Sequence, residues 1–343
     1  MDTREERRKT VHDLWHHGGN INAARHLFPD APSPWIDLST GINPLSYPVG
    51  AIAPSSWRRL PEAWELAALE SLAACAYGAD LRTGIVAAPG SQALIQWLPR
   101  LFPARRVAIM GLTYGEHEIC WRAAGAEVTT VEGLADLLAA DVGIVVNPNN
   151  PDGRVVSPGL LAGAAKSLAR RGGLLIVDEA FIDLLGKEAS VAPFLPECGA
   201  LVLRSFGKAY GLAGLRLGFA LAPPDLGARL REALGPWAVS GPAIEIAGRA
   251  LADGAWLARA RIRLGKDADR LDELLGRAGL DVVGGAPLFR LARHADAWTR
   301  FESLCAAGIL TRPFRRRPDW LRFGIPAAPA DWERLEAALL AGA

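Results

Sequence analysis

Amine chemistry at neutral pH needs a lysine, and this 343-residue chain has few. Of its 38 Lys and Arg residues only Lys9, Lys166, Lys187, Lys208 and Lys266 are lysines. Arginine supplies charge and forked hydrogen bonds but stays protonated, so it cannot serve as an amine nucleophile. Four of the five lysines sit among charges or on predicted helix faces and turns. Lys208 sits instead in Arg204-Ser-Phe-Gly-Lys-Ala-Tyr-Gly-Leu-Ala-Gly-Leu-Arg-Leu-Gly218, just past an apolar run. A lysine at a strand's carboxyl end, among glycines and near Ser205 and Arg216, suits Schiff-base chemistry. A glycine-rich loop with an incidental lysine is the plainer reading. Its glycines follow neither a Walker motif nor GxGxxG.

Three more segments place polar groups directly after apolar runs. In Leu175-Ile-Val-Asp-Glu-Ala-Phe-Ile-Asp183 the run leads into Asp178, an aspartate able to hold a positive charge such as a pyridinium N–H. A helix cap or turn is the commoner use of such a residue. Glu179 and Asp183 suggest a metal or carboxylate pair, but no histidine is spaced to join them. In Val145-Val-Asn-Pro-Asn-Asn-Pro-Asp-Gly153, two Asn-Pro steps make a rigid turn able to present Asn150. In Ala88-Pro-Gly-Ser-Gln-Ala-Leu94, a glycine turn opens a helix whose free N–H groups suit an anion.

These residues need a sheet to hold them. Short β-branched runs occur at 84–88, 106–110, 127–131, 142–146, 174–177, 200–203 and 217–221, with helical stretches at 91–102, 116–124 and 157–171. Near-continuous apolar strands alternating with helices predict an α/β fold with a mostly parallel sheet covered on both faces. Its chemistry then gathers at the carboxyl ends of the strands. Beyond Pro236 the character changes to a long helical pattern over 241–277. Strands near 281–283 and 288–291, a helix near 295–307, a strand near 320–325 and a helix at 330–341 follow. This predicts residues 1–35 as an N-terminal arm packing on a small domain, 36–235 as the large domain and 236–343 as the small α+β domain.

Composition bounds the partners. Lys and Arg number 38 against 37 Asp and Glu, a net charge of +1, which leaves no footprint for nucleic acid or an anionic membrane. No apolar run is long enough to span a bilayer, and from the charged opening MDTREERRKTVHDLW no secretory signal is expected. The scattered Cys75, Cys120, Cys198 and Cys305 read as free thiols in a reducing compartment, so a cytoplasmic location is expected. His12 and His16 have helical spacing, but two further ligands for zinc are not in view, and no metal is expected.

Taken together, in this order and spacing, the four segments resemble the fold-type I pyridoxal-phosphate enzymes, the aspartate aminotransferase-like group. The resemblance covers nearly the whole chain. It implies pyridoxal 5'-phosphate as cofactor. Lys208 resembles the lysine that binds it covalently, Asp178 the carboxylate that keeps its ring nitrogen protonated, and Asn150 the amide bonded to its 3-oxygen. Ser205, Arg216 and the turn at Gly90, Ser91 and Gln92 look like phosphate ligands. Tyr114, in Leu112-Thr-Tyr-Gly-Glu-His117, resembles the aromatic stacked on the ring. Arg322, in Trp320-Leu-Arg-Phe-Gly324, looks like the arginine that grips the substrate carboxylate, which its fork suits.

Within that group the chain is most similar to the histidinol-phosphate aminotransferases and their sister group, the threonine-phosphate decarboxylases of cobalamin synthesis. His17-Gly-Gly-Asn20, Asp37-Leu-Ser-Thr-Gly-Ile-Asn-Pro44 and Arg322-Phe-Gly-Ile-Pro326 favour the sister group. By this resemblance His17, Asn20 and Gly41 join Arg322 as candidates to contact a small phosphorylated amino acid, and Arg290, Arg312 and Arg315 are further candidates. Decarboxylation of threonine phosphate is the expected reaction, with transamination as the alternative. Phe181 stands where a tyrosine usually gives the 3-oxygen a second hydrogen bond. Leu60 stands where a tyrosine reaches the partner's phosphate, and Asp152 replaces a usual threonine or histidine. The resemblance also implies a homodimer, with the Pro-rich stretch 30–56 suited to its interface.

Overall fold

The computed structural model describes Leu14, residues 17–80 and residues 82–341. The His12/His16 pair and most of the first 16 residues of the expected N-terminal arm lie outside the described residues. The chain divides into two compact units. The larger comprises Ser46–Asn150 and Arg154–Ala260. The smaller gathers the described residues up to Leu45, Pro151–Gly153, and the chain from Arg261 onward. Among the described residues no helix is long and apolar enough to cross a membrane.

Strand β1 (Ile36–Asp37) belongs to the smaller unit. The larger holds β2 (Gly84–Ala88), β3 (Arg106–Met110), β4 (Glu127–Val131), β5 (Val142–Val146), β6 (Leu174–Asp178), β7 (Leu201–Ser205) and β8 (Gly218–Ala222) in one sheet of order β2-β8-β7-β6-β5-β3-β4. Only β8 runs against its neighbours, so the other six strands share one carboxyl edge. Every residue of β5 and β6 is buried, which is why they read as unbroken apolar runs. Burial of each such Val, Leu or Ile contributes roughly 1.5–3 kcal/mol. The helix Ser91–Leu101 adds Leu94, Ile95 and Leu98 to this core, and Trp121 fills another part of it.

The edge strand β2 is closed off by side chains. Glu70, nearly buried, accepts the Ala87 N–H at 2.9 Å, and Arg231 grips Glu70 through two bonds of 2.8 and 3.0 Å while donating to Ile85 O. Two backbone groups on the free edge of β2 are thereby satisfied.

The contacts divide the chain differently from the expected boundaries at 35/36 and 235/236. The helix Gly241–Ala252 buries Pro242, Ala243, Ile246, Ala247, Ala250 and Leu251, and Glu245 accepts from Ser56 Oγ at 2.5 Å, tying residues 241–252 to the larger unit. Residues 36–45 go with the smaller unit because β1 pairs in parallel with β11 (Ile309–Leu310). The long helix expected over 241–277 is two helices, Gly241–Ala252 and Gly254–Arg277. Asp253 leaves helical geometry at φ −92°, ψ 67°, and its Oδ1 accepts the Trp256 N–H at 2.9 Å to cap the second helix.

The smaller unit also contains β9 (Asp281–Ala286), β10 (Phe289–Arg293), β12 (Arg312–Phe314) and β13 (Arg317–Gly324), an antiparallel sheet of order β12-β13-β10-β9. Helices Ala297–Ala306 and Pro329–Leu340 accompany it.

Candidate active site

One pocket of the larger unit is lined by Gly90, Ser91, Gln92, Tyr114, Asn150, Asp178, Ser205, Lys208 and Arg216, with Val146, Ala180 and Phe181. The structure therefore brings together all nine residues that the family resemblance implied for a cofactor. The sheet explains why. Ala88, Val146, Asp178 and Ser205 end β2, β5, β6 and β7 at the shared edge, and reversed β8 begins there, so Arg216 arrives two residues before its start.

The anion cradle is made by glycines and a helix end. Gly90 has φ +86°, and a Cβ on it would lie 2.6 Å from Arg216 Nη2. A Cβ on Gly218 would lie 2.4 Å from Ser91 N. Both glycines let β8 and the turn close on each other. Arg216 itself is left-handed at φ +53° and donates to Ala213 O at 3.1 Å. The first-turn N–H groups of Ser91–Leu101 complete a set suited to a phosphate.

Asp178 is nearly buried, and its carboxylate is held at both oxygens. Oδ2 lies 2.9 Å from His117 Nε2, and Oδ1 accepts the Ala180 N–H at 3.1 Å. The His117 ring is 1% exposed, so this pair is shielded from water. His117 was not singled out from sequence. The available signal was its position three residues after Tyr114, one helical turn away. The two rings meet edge-on with centroids 6.2 Å apart.

Tyr114 is fixed by a short relay. Its hydroxyl donates to Gln92 Oε1 at 3.1 Å, and Gln92 Nε2 donates to Glu116 Oε2 at 2.9 Å. The Asn-Pro turn is anchored from within. Asn147 exchanges bonds with Val156 through Oδ1 (2.8 Å) and Nδ2 (3.2 Å), and Asn149 Nδ2 donates to Leu112 O at 3.0 Å. Lys208 lies on the short helix Phe206–Ala209, with Nζ 5.6 Å from the centre of the Phe181 ring.

A buried ionic cluster lies directly behind these strand ends. Arg204, 2% exposed, donates to Asp183 Oδ1 at 2.6 Å and to Ser190 Oγ at 3.0 Å. Its Nε lies 3.3 Å from Glu179 Oε2, and its guanidinium stacks 4.5 Å over the Tyr77 ring. Burial pushes the Glu179 carboxyl above the ordinary carboxylate range, with Arg204 opposing. Glu179 and Asp183 thus anchor an arginine rather than a metal. Sequence alone could not pair them, because the contact spans β6 and β7.

The residues expected to meet the substrate, His17, Asn20, Gly41 and Arg322, lie in the smaller unit. His17 is exposed, while Gly41 is buried. Asn20 Oδ1 accepts the Ala23 N–H at 3.2 Å and caps the helix Ile21–Leu27, so any phosphate contact from Asn20 falls to its amide N–H group. Arg322 is 3% exposed, its Nη2 donates to Ser39 O at 2.7 Å, and its guanidinium lies 5.0 Å from the Phe289 ring centre. Burial, then neighbouring Arg312, lowers its affinity for a proton, while Asp37 raises it. A guanidinium so placed is stabilised by an incoming carboxylate. Arg312 is its cross-strand partner.

The larger unit's donor set fits a phosphorylated pyridine cofactor. It offers a buried carboxylate for a ring N–H, a glycine-lined cradle for a phosphate, an aromatic ring held by hydrogen bonds and one amine. The chain is 43% identical to the threonine-phosphate decarboxylase of Pseudomonas aeruginosa, covering 94% of this chain and 97% of that one. It is 46% identical to a threonine-phosphate decarboxylase of Sinorhizobium sp, with the same two coverages, 94% and 97%. The histidinol-phosphate aminotransferase of Sinorhizobium meliloti, solved in complex with pyridoxal-5'-phosphate, has the same fold. Its TM-score is 0.84 at 21% identity, covering 97% of this chain and 96% of that one. Residues 51–339 match the model of aminotransferase class I and II. The chain belongs to the aminotransferase class I and II family.

Proposed function

We propose that this chain is a pyridoxal-phosphate-dependent decarboxylase that converts L-threonine O-3-phosphate to (R)-1-amino-2-propanol O-2-phosphate for cobalamin assembly. The observation that carries the reading is the likeness to two threonine-phosphate decarboxylases along 94% of the chain. The pocket around Lys208 and Asp178 supports the cofactor, which a decarboxylase and an aminotransferase of this family would share.

The cofactor, when bound, supplies an electron sink conjugated to the substrate's Cα. Arg216, Ser205 and the N–H groups after Gly90 would hold its phosphate. Asp178, oriented by His117, would keep a proton on the ring nitrogen, so negative charge from Cα is accepted. Asn150 would hold the 3-oxygen. Arg322 would grip the substrate carboxylate, with His17, Asn20 and Gly41 contacting the rest of the substrate. The Cα–carboxylate bond breaks, its electron pair stays with Cα, and carbon dioxide leaves. The Lys208 amine then returns a proton to Cα. The reaction needs no oxidant or amino acceptor.

The test is release of carbon dioxide from threonine phosphate without any keto acid. Lys208→Ala is expected to lower it at least about a thousandfold. Acceptor-dependent amino transfer without carbon dioxide release would replace this reading with an aminotransferase.

We also infer a cytoplasmic homodimer. Trp57, Leu60, Trp64 and Trp237 are exposed on the larger unit, and two grooves sharing Pro61 and Ile244 run beside them. An apolar patch of this kind marks an association surface. Sedimentation of the protein and of Trp64→Asp should read a dimer and a shift toward monomer. A monomeric native protein would remove the inference.

A further inference from the structure

A second tier of bonds holds Arg322. The Ser39 carbonyl that accepts from Arg322 is itself fixed by Asp37, whose Oδ1 accepts from Ser39 N at 2.9 Å and from Ser39 Oγ at 2.5 Å. Ser39 Oγ in turn accepts the Gly19 N–H at 2.7 Å. Ser39 is 2% exposed. Gly18 presses on the same carbonyl so closely that a Cβ there would lie 2.3 Å from Ser39 O. The Asp37–Ser39 turn thus clasps the His17-Gly18-Gly19-Asn20 loop on one side and the arginine on the other.

Resting on the decarboxylase reading, we propose that Asp37 and Ser39 are positioning residues that select the reaction by fixing the direction of the Arg322 guanidinium. A guanidinium offers five N–H donors in one rigid plane. With one Nη committed to a fixed carbonyl and a face against Phe289, the plane of the fork is set. A carboxylate bound to that fork inherits its orientation. Which Cα bond is broken would depend on how the substrate is turned against the bound cofactor, so a turned carboxylate would exchange one reaction for another. Loss of the carboxylate gives carbon dioxide. Loss of the Cα proton instead would lead to transamination, in which water releases the phosphorylated keto acid and an added 2-oxo acid takes up the amino group. Neither Asp37 nor Ser39 has to touch the substrate for this.

The experiment compares Ser39→Ala and Gly18→Ala with the native holoenzyme on threonine phosphate with a 2-oxo acid present as amino acceptor, measuring carbon dioxide and phosphorylated keto acid from the same reaction. The expected result is a rise of at least about tenfold in the share of keto acid, since small displacements of a reacting group cost rates of this order. Ser39→Thr, which keeps the hydroxyl, should return the native share. A generally loosened fold lowers both products together, and thermal melting and retained cofactor absorbance identify that case. If Ser39→Ala holds its cofactor and keeps the native product ratio, the proposal is overturned. A native enzyme that forms neither product overturns the decarboxylase reading instead.

Discussion

The His117 imidazole and the Asp178 carboxylate meet at 2.9 Å with both side chains withdrawn from water. A carboxylate placed to stabilise a pyridinium has to stay ionised and correctly turned, and the histidine and the Ala180 N–H each take one of its oxygens. His117→Phe removes one of them and leaves the Asp178 oxygen buried. A hydrogen bond to a charged group is worth about 1.5–3 kcal/mol, so decarboxylation should fall roughly tenfold to a hundredfold. The protein should still melt as a folded species. Unchanged turnover in a folded variant would remove His117 from the mechanism.

Gly90 is the residue whose side chain has no room. Substitution by alanine forces a left-handed backbone on a residue with a Cβ and drives that Cβ towards Arg216. Strain of this kind costs about 1–3 kcal/mol. Gly90→Ala should therefore bind pyridoxal phosphate about tenfold more weakly, as read by equilibrium dialysis. An unaltered dissociation constant would mean that the phosphate lies elsewhere.

The Arg204 cluster bears on stability. Arg204→Met leaves Glu179 and Asp183 buried without their cation, and losing one partner of a buried ion pair costs about 3–5 kcal/mol. Glu179 is already displaced upward by burial, and the substitution moves it further. A carboxyl whose folded pKa exceeds its unfolded one binds its proton more tightly in the native state. Stability is then highest below the unfolded pKa and declines as pH rises through the folded one. Denaturant unfolding of the variant should show its deficit shrinking as the solution is acidified. A deficit independent of pH would argue against Glu179 as the stranded charge.

Most strands of the large sheet were legible because they are buried on both faces, where unbroken apolar runs are the signature, while β4, exposed at Glu127, Thr129 and Thr130, was legible from its β-branched residues. All seven appear within two residues of their expected bounds. The pocket was legible for a related reason, since residues ending neighbouring strands must share an edge. What escaped was pairing over distance. His117 and Asp178 are 61 positions apart, and Asp37–Ser39 meets Arg322 across 283. The helices Ala63–Tyr77 and Pro224–Leu234 also went unread. The break at Asp253 was hidden because the residues on both sides keep a helical pattern, and one aspartate cap decides the matter.

The large sheet has two rims, and the candidate site lies on one of them. Lys208 and Arg216 both ride on the link between β7 and β8, so the spacing between them is set by a single connection. The loop entering β6 is on the opposite rim, where Gly172 has open space around it and is exposed. The protein can therefore be re-stitched at one rim without touching the other. A short insertion at Gly172 should leave cofactor absorbance and carbon dioxide release intact, whereas the same insertion within residues 206–217 should abolish both.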